Sequence, residues 1–233
     1  MGRISQYTVK LTLIGLLGLY ACTQPDTAPR KDTDYAPVES GRYWTYAVQD
    51  ERYSLTEVPV LNTYFVKEAI GEQLSATQDS QTFKLIRAKR NRTTDAWKID
   101  SVWTVQQWPD KLIRRENNTA NVKLRFPIVG GASWNQNEYN ALPTSLYQCV
   151  KPGEPFSLAT RSYTNTVQVV SQQNDSTAIS LNRRVDVYAY QTGLIFKENT
   201  ALAYCQSSPD CIGKGQIASG YRQKWMLVET GTE

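Results

Sequence analysis

Residues 97–105 read WKIDSVWTV and residues 121–126 read NVKLRF, and in both segments apolar side chains alternate with polar ones. An extended chain sends successive side chains to opposite faces, so this period of two predicts half-buried β-strands. The residues that share an apolar face are Trp97, Ile99, Trp103 and Val105 in the first segment, and Val122, Leu124 and Phe126 in the second. Lys123 and Arg125 fall on the opposite face of the second strand.

The same alternation recurs along the rest of the chain after residue 40. It is found in RYWTYAV (42–48), TYFVKEAI (63–70), TFKLIRAKR (82–90), TVQVVSQ (166–172), RVDVYAY (184–190), LIFKE (194–198) and KWMLVE (224–229). About ten strands joined by short polar turns favour an all-β, mainly antiparallel fold. We expect a curved sheet, a half-barrel or a sandwich. Only NQNEYNALPTSLYQ (135–148) leaves room for a helical turn or two, so at most one or two short helices are expected.

Two stretches repeat one spacing of Pro, Gly and Trp: PVESGRYW (37–44) and PIVGGASW (127–134). We interpret Pro37 and Pro127 as residues that end or precede a strand, and Gly41 and Gly131 as turn residues. Trp44 and Trp134 are then the first large core residues after each turn. The repeat suggests two similar halves, 37–126 and 127–233, either stacked in one domain or related by duplication. Gly193 in YAYQTGLIFKE (188–198) is predicted to form a further hairpin or bend.

The N-terminus has the pattern of an export signal. Arg3 and Lys10 precede an apolar run of eleven residues from Leu11 to Ala21, too short for the roughly 20 needed to span a bilayer. LYAC (19–22) resembles the bacterial lipobox, in which the Cys is acylated and becomes the new N-terminus, although Tyr20 stands where smaller residues are commoner. We therefore predict a signal peptide over 1–21 and a lipid anchor on Cys22; the alternative is an ordinary secretory signal.

The residues after Cys22 have the composition of an unfolded tether. TQPDTAPRKDTDYA is rich in Pro, Thr and Asp, so we expect a tether over 22–36 and a single β-rich domain over 37–233. By resemblance to the sorting rule of diderm bacteria, Thr23 after the Cys favours the outer membrane, with the leaflet left open.

Three further cysteines would meet an oxidising compartment after export. We predict a Cys205–Cys211 disulfide, because the intervening QSSPD contains a turn signal. A link from Cys149 to either of them is the alternative. We expect the remaining thiol to be a buried structural residue.

The composition excludes several classes of function. The chain has no histidine, which removes imidazole-based triads, imidazole zinc sites and the usual proton shuttle near pH 7. A net charge of +4 spread along the chain argues against a nucleic-acid partner. No P-loop, dinucleotide fingerprint, calcium loop or thiolate cluster is present, so we predict neither a metal nor a cofactor.

The candidate ligand contacts are aromatic. Trp97, Trp103 and Trp108 could line a groove for sugars or lipid, although a single Trp more commonly fills a core. The basic stretch KLIRAKRNR (84–92) could bind an anionic polymer or headgroup, but we favour a solvated face. The scattered carboxylates show no spacing typical of an acid–base pair; they are Glu138, Glu154, Asp175 and Glu198.

Three segments together carry a family resemblance. The lipobox, GRYWTYAV (41–48) and YAYQTGLIFKE (188–198) resemble uncharacterised envelope lipoproteins of the Bacteroidota. The resemblance implies a β-rich body, in some relatives similar to the periplasmic lipoprotein carriers, and it implies no catalytic residue.

These observations favour a non-enzymatic lipoprotein of the cell envelope whose β-domain binds a ligand or partner. Its partners would be the membrane, through the anchor, and an envelope lipid, glycan or protein. One alternative is a lipid-anchored glycan hydrolase that uses paired carboxylates. Another is a structural subunit of an outer-membrane assembly.

Overall fold

The computed structural model describes Gly2, residues 30–159 and residues 161–233. Apart from Gly2, the predicted signal peptide lies outside these residues, as do Cys22 and most of the tether. Lys31–Glu233 forms one compact unit, called the body below. It is built of antiparallel β-strands with a single short 3-10 helix, which confirms the all-β prediction. Within the described residues no helix has the length and apolar character needed to cross a membrane.

The helix and the strands follow one another with short connections. The 3-10 helix spans Asp32–Tyr35. The strands of the first half are β1 (Arg42–Ser54), β2 (Val60–Ala76), β3 (Gln81–Arg90), β4 (Lys98–Gln107), β5 (Lys111–Glu116) and β6 (Thr119–Arg125). Those of the second half are β7 (Ser133–Asn135), β8 (Leu146–Leu158), β9 (Arg161–Ser171), β10 (Asp175–Ser176), β11 (Ser180–Ala189), β12 (Gly193–Tyr204) and β13 (Ile217–Thr232). The segment 135–148 forms turns and strand ends, without a helix.

Nearly all neighbours in the sheet are also neighbours in the chain. The strand order is β6-β5-β4-β3-β2-β1-β13-β12-β11-β9-β8-β7, and the short β10 pairs with β11. The two ends of the body meet in the centre, where β1 and β13 pair from Arg42↔Thr232 to Ser54↔Ser219. The chain is therefore an antiparallel meander whose first and last strands are hydrogen-bonded to each other.

The two outer strands of this order also meet. The Val122 N–H of β6 donates to the carbonyl of Gln136, just after β7, at 2.9 Å. The Trp134 indole N–H of β7 donates to the Val122 carbonyl at 3.1 Å. With both edges in contact, the sheet is nearly closed on itself, so that it has an interior.

The repeated Pro-Gly-Trp stretches form matching turns. Arg42 N–H donates to Glu39 O, and Ala132 N–H donates to Val129 O, both at 3.1 Å. Gly41 and Gly131 each have φ of 85°, which favours glycine because a Cβ is strained there. Each glycine N–H then donates, at 2.8 Å, to the strand paired with the one it precedes: Gly41 to Ile70 in β2, and Gly131 to Cys149 in β8.

The Trp that follows each turn is buried. Trp44 is 7% exposed and Trp134 is 6% exposed. The Trp44 indole donates to the carbonyl of Thr192 in the turn before β12. Gly193 packs against that indole with φ of 95°, and a Cβ there would lie 3.0 Å from the Trp44 Nε1. The close approach of this turn to Trp44 explains why the position is glycine.

One end of the interior is apolar and is covered by the residues that precede β1. Tyr35 is 2% exposed, and Asp32 accepts a hydrogen bond from the Ile128 N–H at 2.7 Å. The Gln191 N–H donates to the Asp34 carbonyl at 2.8 Å. Residues 32–36, which the sequence assigned to the tether, thus belong to the folded body. The apolar side chains behind them leave a cavity of only about 50 Å³.

Candidate functional site

A layer of charged side chains crosses the interior next to this apolar end. Glu68 of β2 is 3% exposed, and it receives two hydrogen bonds from the guanidinium of Arg114 in β5, at 2.9 and 2.8 Å. A buried charge is tolerated only when it is paired and hydrogen-bonded. This bidentate geometry satisfies both carboxylate oxygens at once.

The charged layer continues from Arg114 to Glu116 and Lys123. Arg114 Nε lies 2.9 Å from one Glu116 oxygen, and Lys123 Nζ lies 3.6 Å from the other. Burial alone would raise the pKa of Glu116, but Arg114 and then Lys123 outweigh it and lower the pKa to about 2. Burial likewise opposes the charge of Arg114, yet Glu68 and Glu116 raise its pKa above the usual value.

Aromatic rings flank the same layer. The Arg87 guanidinium lies 4.8 Å from the ring centre of Trp225 and 5.1 Å from that of Trp103. Lys197 Nζ lies 5.5 Å from the Trp225 ring. Such contacts stabilise cations that have lost part of their hydration. Two more positive charges are therefore held beside the Arg114–Glu116 pair.

The positive charge of Lys123 is only partly balanced by the charges around it. Its side chain is 14% exposed. Burial lowers its pKa; Lys197 and Arg114 add to that effect, while Glu116 and Asp186 oppose it. Two ammonium groups thus share an enclosed region in which charge is costly.

A polar cavity of about 130 Å³ adjoins Lys123. It is lined by Val122, Lys123, Gln136, Tyr147, Val169, Arg184, Asp186, Lys197, Glu198 and Asn199. Burial raises the pKa of the Tyr147 hydroxyl, Asp186 raises it further, and Arg184 and Lys197 lower it, which places these three charges around the phenol. Chemically, this cavity offers three cations, a hydroxyl, two amides and two carboxylates to a small polar ligand.

The three predicted aromatic contacts do not form one groove. Trp97 precedes β4 and stacks on Arg90, with the guanidinium 4.2 Å from the ring centre. Trp103 borders the charged layer, and its indole donates to Asn117 at 3.3 Å. Trp108 lies beyond the other end of β4, packs against the core and has Lys111 5.0 Å from its ring. Of the three, only Trp103 touches the charged layer described above.

The carboxylates singled out from the sequence do not pair with one another. Glu138 contacts Arg125, and Glu198 contacts Arg183 at 2.9 Å. Asp175 accepts hydrogen bonds from Asn182, and Glu154 is exposed on β8. Within the described part of the chain, no group of three or more His, Cys, Asp or Glu side chains could hold a metal ion.

The basic stretch 84–92 divides between the interior and the surface. Arg87 joins the charged layer, whereas Lys84 pairs with Glu72, and Lys89 lies 3.0 Å from Asp100. Arg90 stacks on Trp97, and Arg92 is exposed. The alternation of a strand therefore distributes these cations over separate places.

None of Cys149, Cys205 and Cys211 lines the cavity, although Cys149 pairs across strands with the lining residue Val169. Cys205 and Cys211 form a disulfide with their Cα atoms 5.7 Å apart, across the loop between β12 and β13. Cys149 is a buried free thiol, and burial raises its pKa to about 11, with a further contribution from Asp32. A thiol with so high a pKa is a poor nucleophile near neutral pH.

Sequence reasoning missed Glu68, Arg114, Lys123, Arg184 and Lys197. One signal was present: Glu68 occupies an inward position between Val66 and Ile70, so a charge interrupts an apolar face. Lys123 gave no such signal, because alternation put it opposite Val122 and Leu124. The pairing of β5 and β6 shifts register between Leu112 and Ile113. Across this shift Leu112 pairs with Leu124 and Ile113 with Val122, so Lys123 has no partner in the register, and it contacts Glu116.

Comparison with known proteins gives likenesses in structure only. A scan against protein-family models found no match, and a search of curated proteins found no significant match. A solved structure of a candidate lipoprotein from Parabacteroides distasonis is similar, with a TM-score of 0.45 and 10% identity over 84% of this chain and 98% of that chain. A candidate exported protein with a YmcC-like fold from Bacteroides fragilis gives 0.44 and 8% over the same shares.

Proposed function

We propose that this protein is a lipid-anchored lipoprotein of the bacterial cell envelope whose β-domain binds a ligand inside its nearly closed sheet. The observation that carries the proposal is the polar cavity beside Lys123. A protein that needed only a stable core would fill this space with apolar side chains, as it does at the other end of the interior. Here charged groups from β6, β11 and β12 border open space instead.

A binding role suits these residues better than glycan hydrolysis. A hydrolase needs one carboxylic acid with a raised pKa beside a second carboxylate. In the charged layer Glu68 and Glu116 are both held by Arg114, and the pKa of Glu116 is lowered. Neither is suited to donate a proton to a leaving group. The two acids that line the cavity have cations beside them as well: Asp186 acts on the charge of Lys123, and Glu198 pairs with Arg183 at 2.9 Å.

Binding also suits the sheet better than a purely structural role in an assembly. Subunits that assemble through strands offer a free sheet edge to a partner. In this chain β6 and β7, the two edges of the strand order, are hydrogen-bonded to each other across the closure. The feature that suggests a function is therefore the polar cavity inside the sheet, and not a free sheet edge.

The proposed location rests on the sequence of the N-terminus. The lipobox LYAC (19–22) supports acylation of Cys22, and Thr23 supports transport to the outer membrane. The membrane is then the constant partner, and the ligand would be a component of the envelope. A nucleic-acid partner does not fit the nearly balanced charge.

Binding can be tested by native mass spectrometry of the full protein, extracted in mild detergent from the membranes in which it is expressed. We expect a small-molecule adduct on the wild type that Lys123→Met loses and Lys214→Met keeps, since Lys214 is exposed on the disulfide loop. If the wild type carries only its own mass after gentle extraction, and gains none when incubated with an envelope extract, the binding proposal is wrong.

The anchor has a separate test. Cells labelled with an alkyne fatty acid should label the wild type and leave Cys22→Ala unlabelled. Cys149→Ala is the matched control and should label like the wild type, because that thiol is buried in the body. Equal labelling of wild type and Cys22→Ala would refute the lipid anchor.

A further inference from the structure

The cavity beside Lys123 contains charges that lack ion-pair partners. Within the described residues, neither Lys197, Arg184 nor Asp186 has an oppositely charged side-chain atom within 4.0 Å. Glu198, the other acid in the lining, is already held by Arg183 at 2.9 Å. Lys123 has only Glu116, at 3.6 Å, and Glu116 is itself bound to Arg114. Three cations therefore face the cavity with one uncommitted carboxylate.

The positions of these groups follow from the strand register. Asp186 pairs with Lys197 across β11 and β12, and Arg184 pairs with Asn199 two residues further along the same strands. Val169 of β9 pairs with Asp186 from the other side and closes the cavity with an apolar wall. Lys123 approaches from β6, and its pKa responds to both Lys197 and Asp186. The charges thus converge on one point from three strands.

The excess of positive charge around the cavity predicts an anionic ligand. The half-buried Lys123 and Lys197 and the exposed Arg184 line one small cavity, so their charges repel one another, and an anion between them would remove that cost. The volume of about 130 Å³ is well below the roughly 300–1,000 Å³ of sites for drug-sized ligands. A small oxyanion group fits this space, whereas a sugar chain or an acyl chain does not.

Asp186 further restricts which oxyanions the cavity can bind. A carboxylate repels a fully ionised oxyanion such as sulfate, because neither partner has a proton to share. Phosphomonoesters have a second pKa near 6, and that of inorganic phosphate is about one unit higher, so a protonated oxygen is available at modest cost around neutral pH. That oxygen can donate to a carboxylate while the other oxygens accept from cations.

We propose that this cavity binds a phosphate group in a protonated form, with Lys123, Lys197 and Arg184 around its oxygens and Asp186 accepting a hydrogen bond from its protonated oxygen. Tyr147 adds a hydroxyl donor from β8, and Asn199 an amide from β12. The inference deepens the binding function proposed above and rests on it. The phosphate is either free in solution or the exposed monoester of an envelope molecule, and both present the same oxygens.

The experiment is isothermal titration calorimetry on the full protein in detergent near pH 7. The probes are inorganic phosphate, methyl phosphate, sulfate and dimethyl phosphate. We expect phosphate to bind and sulfate and dimethyl phosphate to bind at least about tenfold more weakly, since neither of them has a proton to donate. Methyl phosphate binding as well as phosphate would indicate a monoester ligand, and its exclusion would indicate the free ion.

Three variants test the assigned residues. Lys123→Met should weaken phosphate binding by about tenfold or more, while Lys214→Met should leave it unchanged. Asp186→Asn removes the proton acceptor, so it should bring sulfate binding to within a few-fold of phosphate binding. This gain in sulfate affinity relative to phosphate affinity cannot come from damage to the fold, because a misfolded variant would bind neither anion.

The proposal is overturned if the wild type binds sulfate as well as phosphate, or if neither anion binds. It is also overturned if Asp186→Asn leaves the preference unchanged. Failure here is distinguishable from failure of the binding function itself. If native mass spectrometry shows a bound molecule that contains no phosphate and is lost in Lys123→Met, the protein binds a ligand in this cavity. Only the proposal that the ligand is a phosphate is then refuted.

Discussion

Glu116 joins the charged layer to the cavity, because one of its oxygens faces Arg114 and the other faces Lys123. A buried pair of this kind adds little net stability over apolar residues, since both charges lose hydration. Removing one partner is nevertheless costly, because the other remains buried and uncompensated. Charge and stability are therefore closely linked at Glu116.

This linkage predicts a loss of stability in acid. The pKa of Glu116 in the folded protein is about 2, below its usual value of 4.5, so its contribution is fully present above about pH 4.5. It is lost as the pH falls through the folded pKa. We expect up to about 3 kcal/mol between pH 5 and pH 2 from this residue, using about 1.4 kcal/mol per pKa unit. Urea unfolding of wild type and Glu116→Gln across this range measures it.

The comparison with Glu116→Gln separates Glu116 from the other acids that titrate in the same range. The variant should be less stable than the wild type at pH 7, and the difference should shrink towards pH 2. Glu72→Gln is the control, because Glu72 pairs with Lys84 at the surface. A wild-type advantage over Glu116→Gln that stays constant with pH would contradict the linkage.

At the scale of single elements, the two Pro-Gly-Trp turns show how far a short pattern can predict structure. Glycine at a fixed distance before Trp predicted a turn entering a strand, and both turns have the same hydrogen bond and the same φ of 85°. Their surroundings differ, which the pattern could not show. A Cβ at Gly41 would lie 2.9 Å from the carbonyl oxygen of Glu233, whereas a Cβ at Gly131 would meet nothing within 4 Å.

Replacement of the two glycines should therefore differ in cost. Gly131→Ala should destabilise by about 1–2 kcal/mol, the penalty for a side chain in the left-handed region. Gly41→Ala should cost more, because it also displaces the C-terminal backbone. Gly131→Asn should recover part of the loss, since asparagine tolerates this conformation better. Thermal unfolding measures all three, and equal losses for Gly41→Ala and Gly131→Ala would show that the contact with Glu233 is unimportant.

The β5–β6 pair marks the limit of alternation as a guide. The rule that successive side chains face opposite ways places Lys123 on a polar face, and the burial of Val122 and Leu124 agrees with it. Every residue of β6 is nevertheless buried or half-buried, so its polar face is not a solvent face. A register shift depends on the hydrogen bonds of two strands together, and one strand's sequence does not contain it.

For the molecule as a whole, the strands could be predicted and the interior could not. The alternation of residues in each half-buried strand identifies its apolar face, and about ten such strands imply a curved sheet. The cavity needs Lys123, Asp186 and Lys197, which come from three strands of the fold. Their meeting depends on closure of the sheet, which brings β6 and β7 together after the chain has completed its meander.

Trp134 is the side chain most directly tied to this closure. It is 6% exposed, and its indole donates to the Val122 carbonyl beside the Val122 N–H that donates to Gln136. Trp134→Ala should destabilise the fold by about 3–5 kcal/mol, as is typical when a buried aromatic is deleted. It should also loosen the closure locally, so the Val122 amide should exchange with deuterium faster than amides in the central β1–β13 pair.

Trp97→Ala is the matched control, because this Trp is half-buried at the turn before β4, remote from the closure. It should cost less stability and leave exchange at Val122 unchanged. If Trp134→Ala lowers stability while Val122 and the β1–β13 amides change by the same factor, the closure opens only with global unfolding. In that case β6 and β7 would be joined as firmly as any central pair, and access to the cavity would have to come through the ends of the sheet.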